Sequence, residues 1–506
     1  MSVEPTGAPT LLHVLLEKYG WLPHKVFITR FREAGNEAAR KFGDDELRGL
    51  DVDETTYRRW RQGTQLPNRQ YATVLEHLFG TDVALLCRPE SGGRHFPEAR
   101  RLHARSLGAA HRVDRAIPAS SLFLGAPPPG NGGMWFLNAA GDAVFDGTQV
   151  ATAPAEAAPA VDAVVVGAED LVHVRAFARA ARRGMLVGCL GRRGGDDLFL
   201  MDSVAARRAA RPAFVRELVI PRAFRLDALT FALVWAVVNL DDWLQADAAA
   251  LTHERERLQQ RPGQEAGLAR WAVPDLSSPA AVWLGSHVCA GHAMRHLEDA
   301  GGAAQVWSQV SGGSEAAGWL LFRDRHRLLD RILPGGPGTD GALGHLALCL
   351  PETAVKAAEV YKRILLLLFA AMLESRGMAV AVSDDTSYAA VDEVVVVPGE
   401  RAIVGNWLPR GDVVCSAGTV GDRGRVDLYT GVIADTRDRS VIADATGAGR
   451  LRALARYLDL DWAWVTGRCR EMAAQPLSDL VGPRSHLLDL AGVEQALRTL
   501  GAPGQG

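Results

Sequence analysis

Thr55, Thr56, Arg58, Arg59 and Arg61 crowd into one short polar segment, DETTYRRWRQ, from Asp53 to Gln62. On a helix advancing about 100° per residue, Tyr57 and Trp60 share one face, and the hydroxyls, the guanidinium groups and the Glu54 carboxylate take much of the remainder. One face is suited to packing and the other is free to meet DNA. An arginine can bond guanine through two N–H groups, a threonine can offer a methyl or a hydroxyl, and a glutamate can accept from cytosine. That chemistry requires neighbours that hold the helix outward.

The flanking sequence supplies such neighbours. Asp53 can cap the helix start through its carboxylate, Gly63 stands where a left-handed stop is wanted, and Pro67 opens the next helix. That helix, about Asn68 to Phe79, spaces Tyr71, Val74, Leu75, Leu78 and Phe79 as a floor for the first. Upstream, helices are expected over Thr10 to Tyr19 and His24 to Phe42. The second presents Phe27, Phe31, Ala34 and Ala38 on one stripe, with Val26 and Ala39 alongside. Arg30, Arg32, Arg40 and Lys41 lie elsewhere on it and read as an ordinary solvated face rather than as phosphate ligands.

Trp60, Gly63, the short turn Thr64 to Leu66, and Pro67 resemble the pattern of the lambda-repressor-like (XRE-type) helix-turn-helix family. More narrowly, YRRWRQG followed by P and VLEHLFG is similar to the N-terminal domain of large regulators from high-GC Gram-positive bacteria. The likeness implies a DNA-binding domain over residues 9–86 and double-stranded DNA as partner. By position it implies that Glu54, Thr55, Thr56 and Arg59 face base edges from the N-terminal half of the helix in the major groove. It places Arg58, Arg61, Thr64, Gln65, Asn68 and Arg69 at phosphates, with the N-terminal amides of the following helix. The preceding helix reads as Asp44 to Leu50. Asp51 occupies the expected position of a turn glycine, and Gly49 is the nearest glycine.

At 506 residues the chain is too long for one core and suggests two to four domains. A net charge of −3 excludes a uniformly basic protein, so any nucleic-acid surface must be local. Six scattered cysteines without a CxxC pair argue for reduced thiols and a cytoplasmic location. The N-terminal stretch lacks a positive leader and reads as an amphipathic helix rather than a signal. The apolar runs Leu229 to Leu240 and Ile364 to Leu373 are shorter than the ~20 residues that span a bilayer, so no membrane association is expected.

The expected fold is multidomain: an all-α helix-turn-helix N-terminal domain, then a mixed α/β and helix-rich portion ending in an α+β region. Residues 87–130 form a basic connector, suited either to tracking phosphates or simply to joining two domains. In 131–220, Thr152 to Pro159 reads as a surface loop. VDAVVVG, a helix over Glu169 to Arg183, and GMLVGCLG then suggest a βαβ unit. GRRGGDDLFLMD reads as a hairpin turn followed by a strand. The 221–376 region is helix-rich, with helices over Arg222 to Gln259, Ala280 to Ala300, Glu315 to Leu333 and Pro351 to Arg376. In 377–500, three strands are expected over MAVAVS, VDEVVVVP and RAIVGNWL. A looser segment, Gly418 to Gly431, and a helix, Ala448 to Leu458, follow.

Other residues could do chemistry, but their spacing argues against it. Gly167 follows a strand without the Gly-x-Gly-x-x-Gly run that lets backbone approach pyrophosphate. Asp241 and Asp242, adjacent on a helix, point about 100° apart and do not converge as an acid/base pair. His287, Cys289, His292 and His296 could offer metal ligands, with His292 and His296 on one helical face. Ala293 stands where a zinc-site glutamate would be, and satisfied or partly exposed histidines are the better reading. Ser286 lacks a nucleophile elbow. Trp407, Trp462 and Trp464 read as core anchors, with an aromatic ligand pocket as the alternative.

The expectation is therefore a sequence-specific, DNA-binding transcriptional regulator without catalytic residues, metal or cofactor. Its large C-terminal portion would dimerise, sense a small-molecule or protein effector, or do both. The alternatives are an enzyme with an appended DNA-binding domain and a protein-interaction scaffold.

Overall fold

The computed structural model describes residues 10, 12–13, 16, 21–42, 44–79, 83–87, 134–137, 148–168, 171, 183–192, 195–210, 216–259, 266–273, 276–297, 304–333 and 344–502. The chain divides into two compact units, one of N-terminal helices and one built on two sheets. The basic connector lies outside the described residues apart from Cys87, as does the helix expected over Glu169 to Arg183 apart from Leu171 and Arg183.

In the first unit, α1 (His24–Phe42), α2 (Glu54–Arg61), α3 (Arg69–Phe79) and α4 (Val83–Leu86) enclose one apolar core. Phe27, Phe31, Ala34, Ala38 and Ala39 of α1 are buried there beside Val74, Leu75 and Phe79 of α3, as helical spacing requires. Val26, expected alongside that stripe, is 40% exposed. Leu12, His13 and Leu16, from the first expected helix, are helical, and both leucines are buried. The helix expected over Asp44 to Leu50 is a single 3-10 turn, Asp45–Leu47. Asp44 caps that turn, and Gly49 leaves it with φ +69°, a left-handed step that stops propagation.

β1 (Met134–Leu137) is a short strand, and the first sheet of the second unit runs β5 (Gly195–Asp202), β4 (Gly184–Arg192), β2 (Thr148–Ala160), β3 (Ala163–Gly167), β6 (Glu217–Pro221). The expected βαβ unit is overturned. VDAVVVG and GMLVGCLG are not neighbours; β2 lies between them, antiparallel to β3 and parallel to β4. The Ala/Pro-rich stretch read as a loop is thus a 13-residue strand. Its first half bonds β4 and its second half bonds β3, with Asp162 at φ 52° in the turn that joins β2 to β3. β4 and β5 form a hairpin closed at Arg192 and Gly195.

The second sheet is ordered β10 (Met378–Ser383), β9 (Gly344–Cys349), β8 (Gln305–Ser308), β11 (Glu393–Val397), β12 (Arg401–Asn406), β13 (Val413–Val420), β7 (Ala266–Ala269). β8, β9 and β10 are parallel; the others alternate. Sequence segments 221–376 and 377–500 therefore share one sheet. Among the helices of this unit are α5 (Ser203–Ala210), α6 (Ala228–Ala246), α7 (Ala248–Gln259), α8 (Ser278–His296), α9 (Gly313–Leu321), α10 (Arg323–Ile332), α11 (Glu352–Ala357), α12 (Val360–Ser375) and α13 (Arg423–Asp438). They continue with α14 (Gly447–Tyr457), α15 (Trp462–Ala473), α16 (Leu477–Leu480) and α17 (Ala491–Gly501).

α6 is apolar nearly all round and buried along most of its length. The helix expected over Glu315 to Leu333 breaks at Phe322, whose extended backbone bridges to Leu488. The looser segment expected after Gly418 is the end of β13 followed by α13, which packs Val426 and Ile433 against one face of the sheet. On the other face, Arg325 of α10 is fully buried between the Trp319 and Trp407 rings, 4.6 and 4.5 Å from their centroids. It pairs with Glu393 and donates to Ser286 Oγ at 2.7 Å. Among the described residues, no helix is long and apolar enough to cross a membrane.

Candidate nucleic-acid interface

The local chemistry of α2 sets both of its ends. The Asp53 carboxylate accepts from the Thr56 N–H at 2.9 Å and from the Thr56 hydroxyl at 2.7 Å, capping the helix. These two bonds hold the Asp53 carboxyl below its ordinary value. At the other end Gly63 takes φ +66°, and the Thr64 N–H reaches back to the Arg59 carbonyl at 3.0 Å. Pro67 does not open α3; it precedes Asn68, whose Oδ1 accepts from the Tyr71 N–H at 3.3 Å.

Tyr57 and Trp60 anchor the inner face of α2. Both are at most 2% exposed. Tyr57 stacks on Phe27 with centroids 4.5 Å apart, and its hydroxyl donates to the Leu22 carbonyl at 2.9 Å. Trp60 lies 5.5 Å from Tyr71 and 6.4 Å from Phe31. The segment leading into α2 is tied as well: His24 Nε2 is 2.7 Å from the Val52 carbonyl, the Tyr71 hydroxyl donates to the Asp51 carbonyl at 3.0 Å, and Arg32 pairs with Asp51 at 2.6 Å.

With the inner face fixed, the outer face follows from the helix period. At about 100° per residue, Thr55 lies opposite the midpoint of Tyr57 and Trp60, Arg58 and Arg59 lie about 50° to either side of Thr55, and Glu54 lies further round beside Arg58. Glu54, Thr55, Arg58 and Arg59 are exposed, and among the described residues no ion pair engages either arginine. Thr64, Gln65 and Asn68 are exposed beyond the C-terminus of α2, and Arg69 opens α3.

Besides Thr64, whose hydroxyl donates to the Arg59 carbonyl at 3.2 Å, and Asn68, which accepts from the Tyr71 N–H, two more of the expected contact residues are engaged inside the unit. Thr56 is half-buried, with its hydroxyl on Asp53. Arg61 is half-buried; its Nε and Nη2 donate to His13 Nδ1 at 3.2 and 3.1 Å, and its guanidinium carbon lies 5.4 Å from the Tyr57 ring centroid. The helical period places Thr56 and Arg61 at the margins of the outer face, which was legible in the sequence. His13 as the partner of Arg61 was not, because forty-eight positions separate them.

Elsewhere, the candidate chemistry resolves into separate contacts. Among the described residues, no three His, Cys, Asp or Glu side chains come together as metal ligands. His287 Nδ1 is 2.8 Å from Asp324, Cys289 Sγ donates to the Ser416 carbonyl at 3.5 Å, and His292 Nε2 is 3.2 Å from Thr419 Oγ1. Burial, with His296 and Arg295 adjacent, lowers the His292 imidazole to about 4. Of the three tryptophans, only Trp407 is fully buried; Trp462 and Trp464 are half-buried on α15.

Asp241 and Asp242, expected to diverge rather than to form an acid/base pair, both reach one guanidinium, through different nitrogens. Arg183 pairs with Asp241, with Asp242 at 3.0 Å and with Asp202 at 3.4 Å. Asp241 also accepts the Arg484 N–H at 2.9 Å and the Ser485 N–H at 2.7 Å. A helix angle fixes where the Cβ atoms point, and a forked, five-donor side chain can still bridge two such directions. The result is a buried clasp, with every Asp241 oxygen engaged.

Comparison with protein-family models, with curated proteins and with solved structures gave no match.

Proposed function

We propose that this protein is a sequence-specific DNA-binding regulator whose α2 enters the major groove. The reading is supported chiefly by one observation: Tyr57 and Trp60 clamp the inside of α2 while Thr55, Arg58 and Arg59 stand free on the outside. In the proposed pose Glu54, Thr55 and Arg59 meet base edges, with Thr56 at their margin. Arg58, Thr64, Gln65, Asn68 and Arg69 meet phosphates. Arg61, already bonded to His13, acts first as a brace for α2. A single module of this size buries too little surface for tight specific binding, so the second unit is proposed to dimerise, to receive a small-molecule or protein effector, or both.

The test is retention of genomic duplex fragments by the full chain at salt concentrations between about 50 and 200 mM. A subset of fragments retained across that range, with affinity falling linearly in the logarithm of salt, supports the reading. Equal retention of all fragments, or of none, contradicts it. Sedimentation with and without a retained fragment tests the dimer, which a monomer in both conditions would remove.

A further inference from the structure

Tyr71, on α3, reaches both ends of α2. Its ring centroid lies 5.5 Å from that of Trp60, in the last turn of α2, and 6.0 Å from that of Phe31 on α1. Its hydroxyl donates to the Asp51 carbonyl at 3.0 Å, two residues before the Asp53 cap. A ring packed against two others leaves its hydroxyl little freedom, so the bond fixes a point of backbone just ahead of α2.

Asp51 is held by its side chain as well. Its Oδ2 accepts from the Arg32 guanidinium of α1 at 2.6 Å, and its Oδ1 accepts from the Val52 N–H at 2.9 Å. Val52 is buried, and its carbonyl lies 2.7 Å from His24 Nε2, at the start of α1. The left-handed step of this segment stands at Gly49, not at Asp51, so the approach to α2 takes its direction from bonds to α1 and α3. Tyr57 and Trp60 seat the inner face of α2 from its fourth residue onward. The first turn, with Glu54 and Thr55 exposed, runs from that seat back to Asp51. A tilt of this end of the helix has to break the bonds at Asp51 and Val52.

We propose that Asp51 is a positioning residue for sequence discrimination: Tyr71 and Arg32 hold it from α3 and α1, and it fixes the angle at which α2 meets base edges. The inference rests on the DNA-binding reading. A base contact made through two N–H groups, the chemistry open to Arg59, tolerates little change of angle, whereas a phosphate contact carries no sequence information and accepts several directions. Loss of the anchor therefore lowers discrimination between sequences more than it lowers affinity for DNA at large.

The test is a double-mutant cycle on the full chain, read as affinities for a retained genomic duplex and for an unrelated duplex. Tyr71→Phe keeps the ring and removes the hydroxyl. It is expected to weaken the retained duplex about fivefold and the unrelated one less than about twofold. In an Arg59→Ala background the same change is expected to weaken the retained duplex less than about twofold, because the contact it aims is already gone. Asp51→Asn keeps the carbonyl and takes the charge from the Arg32 pair, and the same pattern is expected of it. Equal losses on both duplexes, or an equal loss with and without Arg59, would mean that these bonds only stabilise the unit, and overturn the role. A natural chain that discriminates, beside variants that discriminate as well, overturns the role alone. A natural chain that retains no duplex overturns the DNA-binding reading and the role with it.

Discussion

Tyr57 lies flat against Phe27, their ring centroids 4.5 Å apart and their planes 22° from parallel. The contact joins α2 to α1 by an aromatic face, and the Tyr57 hydroxyl adds bonds to the Leu22 and Trp21 carbonyls at 2.9 and 3.3 Å. Tyr57→Phe removes only the hydroxyl bonds and is expected to cost about 0.5–1.5 kcal/mol. Tyr57→Ala also opens a cavity and is expected to cost about 3–5 kcal/mol. Amide hydrogen exchange across α2 reads both, and protection unchanged in Tyr57→Ala would show that the stack does not hold the helix.

The cap at Asp53 predicts a pH effect of definite sign. Its carboxyl is depressed below the ordinary 3.8 by the Thr56 bonds. The stabilisation is therefore complete above 3.8 and disappears as pH falls through the lower folded-state value. Exchange protection of α2 amides should drop over that acid range in the natural protein, while Asp53→Ala should show weak protection at every pH. A capped helix whose protection ignores pH in that range would contradict the assignment.

Arg183 is 2% exposed and Asp241 wholly buried, so the clasp has little water to fall back on. Arg183→Met leaves three carboxylates facing one another and is expected to destabilise the second unit by about 3–5 kcal/mol in denaturant unfolding. An unchanged midpoint would mean that Arg484 alone can balance the charge.

All six cysteines are buried and unpaired with one another. Burial pushes the thiols of Cys87, Cys415 and Cys469 up to about 12, so their thiolates are scarce near neutrality. A chromogenic disulfide reagent at pH 8 should find no fast-reacting thiol in the folded chain and six after unfolding. A rapid burst from the folded protein would locate an accessible cysteine.

Much of the first unit was legible because its signals are local. α1 carries an apolar stripe at spacings of three and four, Asp53 and Gly63 bound α2 by short-range chemistry, and a left-handed φ at Gly63 needs no distant partner. The 3-10 turn at Asp45–Leu47 escaped because a helical turn and a 3-10 turn share the same short pattern. In the second unit the failures are non-local. Alanine and proline are poor strand residues, yet Thr148–Ala160 is a strand because β3 and β4 bond its two halves. β7, β8 and β9 are short strands lying among long helical patterns, and only the completed sheet fixes them. His287 was legible as a reactive side chain, but the Asp324 beside it comes from a distant turn.

The outward face of α2 is tested most directly by the affinities of the natural chain, Arg59→Ala and Arg58→Ala for a retained genomic duplex and for an unrelated duplex. The account predicts that Arg59→Ala loses about 1–3 kcal/mol on the retained duplex alone, while Arg58→Ala weakens both alike and lowers the salt slope by about one. Affinities for both duplexes unmoved by either substitution would contradict it.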